Sequence, residues 1–332
     1  MESRGGVSMP LLEVNDLKIY YEGPTSLLKL PQGRREYVHA VDGVSFSIEQ
    51  GEILGLVGES GCGKSTTGMG ILHLQEVTSG SVFFRGENVL TLKGGDLRAF
   101  RKRAQLIFQS TYASLDPRMN AREIISEPIR IHHIECDEEK IEEMMLGVME
   151  TLGLTRADLD KMPNEFSGGQ VRRLGIARAL VLQPELIVAD EPTSGLDVSV
   201  SASILNLMCD LRDRLHLTYL WISHDLHAVS FISDRIAVMY LGKIVEMART
   251  KELLSNLCHP YTKALFSAIP MLDKNRRLTR IILEGEIPSA LHPPCGCRFH
   301  TRCAYRMPKC SEAEPPLREV GSGHLVRCYL YE

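Results

Sequence analysis

An α/β fold built around a buried parallel strand is what this 332-residue chain predicts, on three observations. The apolar run Ile53-Leu54-Gly55-Leu56-Val57 leads straight into Gly58-Glu59-Ser60-Gly61-Cys62-Gly63-Lys64-Ser65-Thr66. That stretch has glycines at both ends of a loop followed by Lys and Ser, the P-loop pattern for phosphate. Thr66 to Leu74 can continue as a helix, which completes the strand, loop and helix context the motif needs. Further apolar runs alternate with helical stretches downstream, the order expected of a P-loop NTPase domain. Free backbone N–H groups at a helix N-terminus form a cage for phosphate oxygens. In such a cage Lys64 can neutralise the β- and γ-phosphates and the Ser65 hydroxyl can bind Mg²⁺.

Composition narrows the class. The length favours two domains over one. A net charge of −4 argues against a general nucleic-acid binder, which is usually basic. No apolar run approaches the ~20 residues of a transmembrane helix. Met1 to Leu12 carries Arg4 but no apolar core for a secretory signal, so a cytosolic location is expected. There the nine cysteines are thiols or metal ligands before they are disulfides.

The elements follow in order. Alternating apolar positions predict strands over Leu11–Tyr21 and Tyr37–Ile48, separated by a Pro- and Gly-containing loop from Glu22 to Glu36. Ser81–Phe84 is a short strand, and Gly94–Arg103 is a basic helix entering the strand-like Ala104–Gln109. Ala121–Asp160 is mainly helical. Asn164–Leu182 is a second helical entry behind the polar loop Phe166-Ser167-Gly168-Gly169-Gln170. Leu186–Ala189 is a buried strand ending in Asp190-Glu191, and a helix over Ser199–Leu215 leads to a strand at Thr218–Ser223. Another helix covers Leu226–Ser233, with strands at Ile236–Met239 and Lys243–Met247. Beyond residue 255 the chain is rich in Pro, Arg and Cys, with little periodicity except Tyr261–Ile269.

A P-loop alone says only that phosphates are bound. The residues after it are more specific. Asp190 ends an apolar strand, where a carboxylate holds Mg²⁺ through water. Glu191 follows, placed to accept a proton from an attacking water. The Ser167 loop is small, rich in amides and opens a helix, which suits a second phosphate contact. His224 stands just after a strand, where an imidazole can touch a γ-phosphate. Taken singly these have plain alternatives: His224 as a cap for the helix near Asp225, Glu191 as a strand-end carboxylate, Gln109 as a surface amide.

In joint order, over roughly residues 11–255, they resemble the nucleotide-binding subunit of an ABC transporter. The family signature reads Phe166-Ser167-Gly168-Gly169-Gln170, with Phe in place of the usual Leu. The Q-loop glutamine matches Gln109, the D-loop Ser194-Gly195-Leu196-Asp197, and the switch histidine His224. The resemblance implies an ABC ATPase core over residues 1–255, with about 110–165 as a helical subdomain. It implies ATP held by Gly58, Ser60, Gly61, Cys62, Gly63, Lys64, Ser65 and Thr66, and Mg²⁺ by Ser65, Gln109 and Asp190. Catalysis falls to Glu191, His224 and Gln109. Ser167, Gly168, Gly169 and Gln170 serve the nucleotide of a second ATPase subunit, identical or paralogous. Tyr37 is the aromatic most like the adenine-stacking residue, although Tyr20 and Tyr21 also lie upstream, and Tyr37 is equally readable as a surface aromatic. Cys62 reads as a small inert residue or as a thiol open to alkylation.

Ser110 to Met119, with Ala40-Val41-Asp42-Gly43-Val44-Ser45-Phe46, is similar to the subfamily that imports dipeptides, oligopeptides or nickel. The resemblance implies two permease subunits, a solute-binding protein acting indirectly, and a peripheral place on the cytoplasmic face of the membrane. Nucleic acid is not an expected partner. The competing expectation is a soluble ABC-type ATPase acting on nucleic acid or ribosomes, disfavoured by one cassette and an acidic charge.

Residues 256–332 resemble the Cys-rich C-terminal extension of peptide-importer ATPases. Five of the nine cysteines fall within the last 38 residues. In some members of the family four cysteines hold a [4Fe–4S] cluster, and Cys297, Cys303, Cys310 and Cys328 match best, leaving Cys295 over. Zinc, with His300 or His324 substituting for one thiolate, and a reduced tail without metal are the alternatives. Arg298, Arg302, Arg306 and Arg327 are expected to offset the thiolate charge.

Overall fold

The computed structural model describes residues 9–23, 35–268, 281–321 and 323–332. Most of the loop expected over Glu22–Glu36, most of Met1–Leu12 and the end of Tyr261–Ile269 lie outside them. Strands β1 (Leu12–Glu22), β2 (Tyr37–Ile48) and β3 (Ile53–Val57) precede helix α1 (Lys64–Ile71). Next come β4 (Ser79–Phe84), β5 (Glu87–Asn88), α2 (Gly94–Arg103), β6 (Ala104–Ile107) and the short α3 (Thr111–Ser114). Helices α4 (Ala121–Ile131), α5 (Glu138–Thr151) and α6 (Gly168–Leu180) lead to β7 (Leu186–Asp190) and α7 (Val198–Leu215). Then follow β8 (Thr218–Ser223), α8 (Leu226–Ile232), β9 (Arg235–Tyr240), β10 (Lys243–Arg249), α9 (Thr250–Ser255) and α10 (Pro260–Ser267). The C-terminal segment adds α11 (Lys309–Glu312), β11 (Arg318–Gly321) and β12 (His324–Val326).

The chain forms two compact units. The first takes residues 1–49, 53–90 and 223–332. One layer is the antiparallel sheet β2-β1-β4-β5; the other is the run β11-β12-β10-β9-β3, in which β3 and β9 are parallel. β3 is buried along its whole length, which explains why it reads as a continuous apolar run without alternation. In the segment after residue 255 the structure holds more than the sequence suggests. β12 pairs antiparallel with β10, setting Val326 opposite Glu246. Strands of four and three residues are too short to carry a visible period of two.

The second unit takes residues 50–52 and 91–222, with the parallel strands β8-β7-β6 and the helices from α2 to α7. The helical stretch expected as one block from 121 to 160 is broken after Ile131. Each piece has its own start. Asn120 and Glu123 form a reciprocal capping box, and Asp137 caps α5 by accepting from the Glu139 N–H at 3.0 Å. α6 starts at Gly168 rather than at Asn164, because Ser167 and Gln170 make the same kind of box one turn later.

Candidate active site

In the first unit the P-loop is fixed by its glycines and by Lys64. Gly58 has φ 154° and Gly63 has φ 107°. A Cβ at Gly58 would meet the Met239 carbonyl at 2.1 Å, and one at Gly63 would meet the Ala40 carbonyl at 2.1 Å. Both positions therefore need glycine for close approach as well as for conformation. Gly63 caps α1, so the helix begins at Lys64, two residues earlier than the apolar pattern alone suggests. The Lys64 ammonium is buried and donates to the Gly58 carbonyl at 2.8 Å and the Glu59 carbonyl at 3.1 Å. Its charge is thus held over the mouth of the loop. Cys62 is buried, and burial pushes its thiol pKa up, which favours the inert alternative.

Tyr37 opens β2 with its side chain 40% exposed. Tyr20 is committed elsewhere, its hydroxyl donating to Asp42 at 2.6 Å and its ring lying 4.3 Å from that of His39. His224 is exposed in the turn between β8 and α8. It is not the helix cap: Asp225 accepts from the His227 and Ala228 N–H groups.

The second unit brings together Gln109, Glu191 and the signature. The Gln109 amide donates to the Glu191 carboxylate at 2.8 Å. Glu191 sits at φ 46° just past β7, and its N–H reaches the Ile222 carbonyl at 2.8 Å. Left-handed backbone at a non-glycine residue costs roughly 1–2 kcal/mol and gathers at functional sites. Ser167 and Gly168 are exposed at the N-terminus of α6, while Phe166 before them is buried. Phe in place of Leu thus changes an apolar plug and leaves the polar loop alone. Sequence reasoning missed Arg172. This buried residue donates to the carbonyls of Phe108 and Gln109 at 3.0 Å each, to Thr111 Oγ1 at 2.7 Å and to the Ser194 carbonyl at 3.2 Å. One guanidinium so ties the Q-loop, the D-loop and the signature helix together. Its place two residues after Gln170 was the available signal.

In the C-terminal extension Cys297, Cys303, Cys310 and Cys328 line one small pocket. Cys295 is exposed and outside it. Burial raises the thiol pKa of Cys303 and Cys328, and that of Cys297 to about 11. Among the described residues no three of these sulfurs lie within 4.8 Å of one another. Among the described residues the one trio of His, Cys, Asp or Glu ligand atoms that close together is Glu246, Cys258 and His324. There the carboxylate is already satisfied: Oε1 accepts from the Cys258 N–H and bonds the His324 ring, and Oε2 accepts from the His259 N–H, each at 2.8 Å. This buried contact ties β12 to β10 and commits the His324 Nε2 to Glu246.

Three of the four arginines expected to offset thiolate charge turn elsewhere. Arg298 pairs with Asp42 and donates to the Leu241 carbonyl, Arg302 pairs with Glu59 at 2.9 Å, and Arg327 pairs with Glu314 at 2.7 Å. Carboxylates and carbonyls in a partly buried setting are stronger partners than neutral thiols.

Comparison with known proteins gives the same picture. Residues 41–194 match the ABC transporter family and residues 245–310 the oligopeptide/dipeptide transporter C-terminal region. The oligopeptide transport ATP-binding protein AppF of Bacillus subtilis is 47% identical over 327 residues, 97% of each chain. The dipeptide transport ATP-binding protein DppF of Haemophilus influenzae is 46% identical over 320 residues, 96% of each chain. The dimeric, post-hydrolysis ATP-binding cassette MJ0796 bound to ADP and Pi superposes with a TM-score of 0.64 at 25% identity, over 72% of this chain and 98% of that one. The chain therefore belongs to the ABC transporter ATP-binding family, in the branch that carries the oligopeptide/dipeptide C-terminal region.

Proposed function

We propose that this protein is the ATP-hydrolysing subunit of a peptide-importing ABC transporter. The observation that carries the proposal is the 2.8 Å hydrogen bond from Gln109 to Glu191, which joins the sensing amide to the carboxylate at the end of an apolar strand. In this reading Lys64 and the loop N–H groups of residues 58–66 bind the phosphates, and Tyr37 offers an exposed ring for the adenine. Ser65, Asp190 and Gln109 hold Mg²⁺, which when bound draws charge from the β- and γ-phosphate oxygens. Glu191 takes a proton from water as its oxygen bonds to the γ-phosphorus and the bond to the β-phosphate oxygen breaks, leaving ADP and phosphate. His224 orients that water. The amide of Gln109 holds the Glu191 carboxylate in its aim through that hydrogen bond.

The exposed N-terminus of α6, with Ser167, Gly168, Gly169 and Gln170, serves the nucleotide of a second ATPase subunit. The dimeric state of the MJ0796 cassette supports this pairing. Closure of the pair then drives two permease subunits at the cytoplasmic face of the membrane, with a solute-binding protein delivering the peptide. AppF and DppF, named for oligopeptide and dipeptide transport, support the peptide assignment.

In the same reading Cys297, Cys303, Cys310 and Cys328, which line one pocket, would hold a [4Fe–4S] cluster, with zinc the alternative. When bound, the cluster cross-links a segment with little apolar core. Anaerobically purified protein is expected to show visible thiolate-to-iron absorption; zinc at one atom per chain without that absorption rejects the assignment.

Glu191→Gln tests the ATPase. Phosphate release should fall by at least roughly 10²-fold, the contribution of one general base, while ATP binding persists. Undiminished turnover in that variant removes Glu191 from the mechanism.

A further inference from the structure

Glu59, the second residue of the P-loop, has each of its polar groups held. Its carbonyl accepts from the Lys64 ammonium at 3.1 Å. Its backbone N–H donates to the Tyr261 hydroxyl at 2.9 Å. Its carboxylate takes a two-pronged contact from Arg302, at 2.9 and 3.3 Å. Tyr261 lies in α10 and Arg302 lies in the loop between two pocket cysteines, so both come from the C-terminal extension.

Neither contact is a passing surface touch. The Tyr261 ring is fully buried, 4.7 Å from Tyr240 and 5.5 Å from Phe299, and the Arg302 side chain is only 8% exposed. Tyr240 stands in T-shaped contact with Phe299 at 5.2 Å, and the Arg302 guanidinium lies 6.0 Å over the Tyr240 ring. A second strut runs parallel. Arg298 donates to the carbonyl of Leu241, and the next residue, Gly242, donates its N–H to the Cys62 carbonyl of the P-loop at 2.9 Å. The extension thus grips the loop at Glu59 directly and at Cys62 through the β9–β10 turn.

The peptide plane of Glu59 decides where its carbonyl points, and that carbonyl holds the amine of Lys64. From this geometry we infer that Tyr261 and Arg302 are positioning residues for nucleotide binding. They fix the first half of the P-loop so that Lys64 and the loop amides already stand in their phosphate-binding arrangement. Pre-set donors bind an anion more tightly than donors that must be ordered at the moment of binding. The extension is then a working part of the nucleotide site. The inference rests on the P-loop binding nucleotide, and not on any metal in the cysteine pocket.

The test uses the full-length protein in three forms: Tyr261→Phe, Arg302→Gln and Arg302→Lys. Tyr261→Phe removes one oxygen and keeps the ring in its aromatic cluster, so it retains the fold. Two readouts are taken, the Kd for trinitrophenyl-ATP by fluorescence and the split between KM for ATP and kcat. Arg302→Gln and Tyr261→Phe are each expected to raise Kd and KM by roughly fivefold to tenfold, the loss of one good hydrogen bond or charge contact. kcat should stay within about twofold of the parent, because Glu191 is untouched. Arg302→Lys should recover part of the loss, since it restores the charge without the fork. In a double-mutant cycle, Arg302→Gln combined with Glu59→Gln should cost no more than the worse single change. Unchanged Kd in both Tyr261→Phe and Arg302→Gln overturns the inference. So does a fall in kcat with KM unmoved. If the parent protein binds no nucleotide at all, the P-loop assignment itself fails.

Discussion

Glu191 carries a left-handed φ of 46° on a long acidic side chain. Its N–H bond to Ile222 and the Gln109 amide hold it there. The identity of this residue was legible from its place after an apolar strand, but the backbone conformation was not. No pattern of residue types reports a φ that neighbours impose. Arg172 was illegible for a related reason: its partners lie 61 to 64 residues upstream and 22 downstream. Cys62 makes a prediction at this scale. Its burial and raised thiol pKa should make it slow toward N-ethylmaleimide, while the exposed Cys136 and Cys295 react first. Mass spectrometry of briefly treated native protein reads the order, and early labelling of Cys62 contradicts the structure.

Among the elements, α6 shows how a local signal can be complete. Ser167 and Gln170 form the capping box, and the small residues between them keep the helix mouth open. Ser167→Ala should loosen the first turn of α6 by about 1 kcal/mol, the usual value of a lost cap. Amide exchange of residues 168–171 measures that effect, and unchanged protection there would show that the cap carries no weight. β12 is the opposite case. Three residues in a Cys- and Pro-rich segment gave no periodic signal, and its membership of a sheet depends on β10, some 80 residues earlier. The buried His324–Glu246 pair across those strands makes β12 testable. The hydrogen bond to Glu246 raises the His324 pKa. Its stabilisation is fully present below the ordinary histidine value of about 6.5 and fades as pH climbs through the raised value. The melting-temperature gap between the parent and His324→Gln should therefore be widest near pH 6 and narrow toward pH 9. A gap that widens with pH would mean the pair is not charged as drawn.

Across the whole molecule, the strand and helix order was legible almost throughout. Most of it is written in runs of five to eighteen residues whose period or burial is local. What the sequence concealed is the long-range stitching. Arg302 and Glu59 are 243 residues apart, and Arg298 and Asp42 are 256 apart. Side chains that far apart meet only because β9, β10 and α10 carry the extension back to β3. Charge alone could not reveal this; the same arginines read from sequence as company for the cysteines. Among the described residues no helix is long and apolar enough to cross a membrane.

The first unit is assembled from three separated stretches of the chain, and this has a consequence for biosynthesis. β3 emerges early, yet its parallel neighbour β9 lies some 180 residues later, and the residues that clamp Glu59 come later still. At roughly 5–20 residues per second, the 243 residues between Glu59 and Arg302 take about 12–50 s to be made. Until Arg235, the partner of Leu54, is made, roughly 9–36 s at that rate, the apolar β3 has no strand partner from its own unit. The parallel pairing of the first unit can therefore form only after β9 is made, and the clamp on Glu59 only after Arg302 is made.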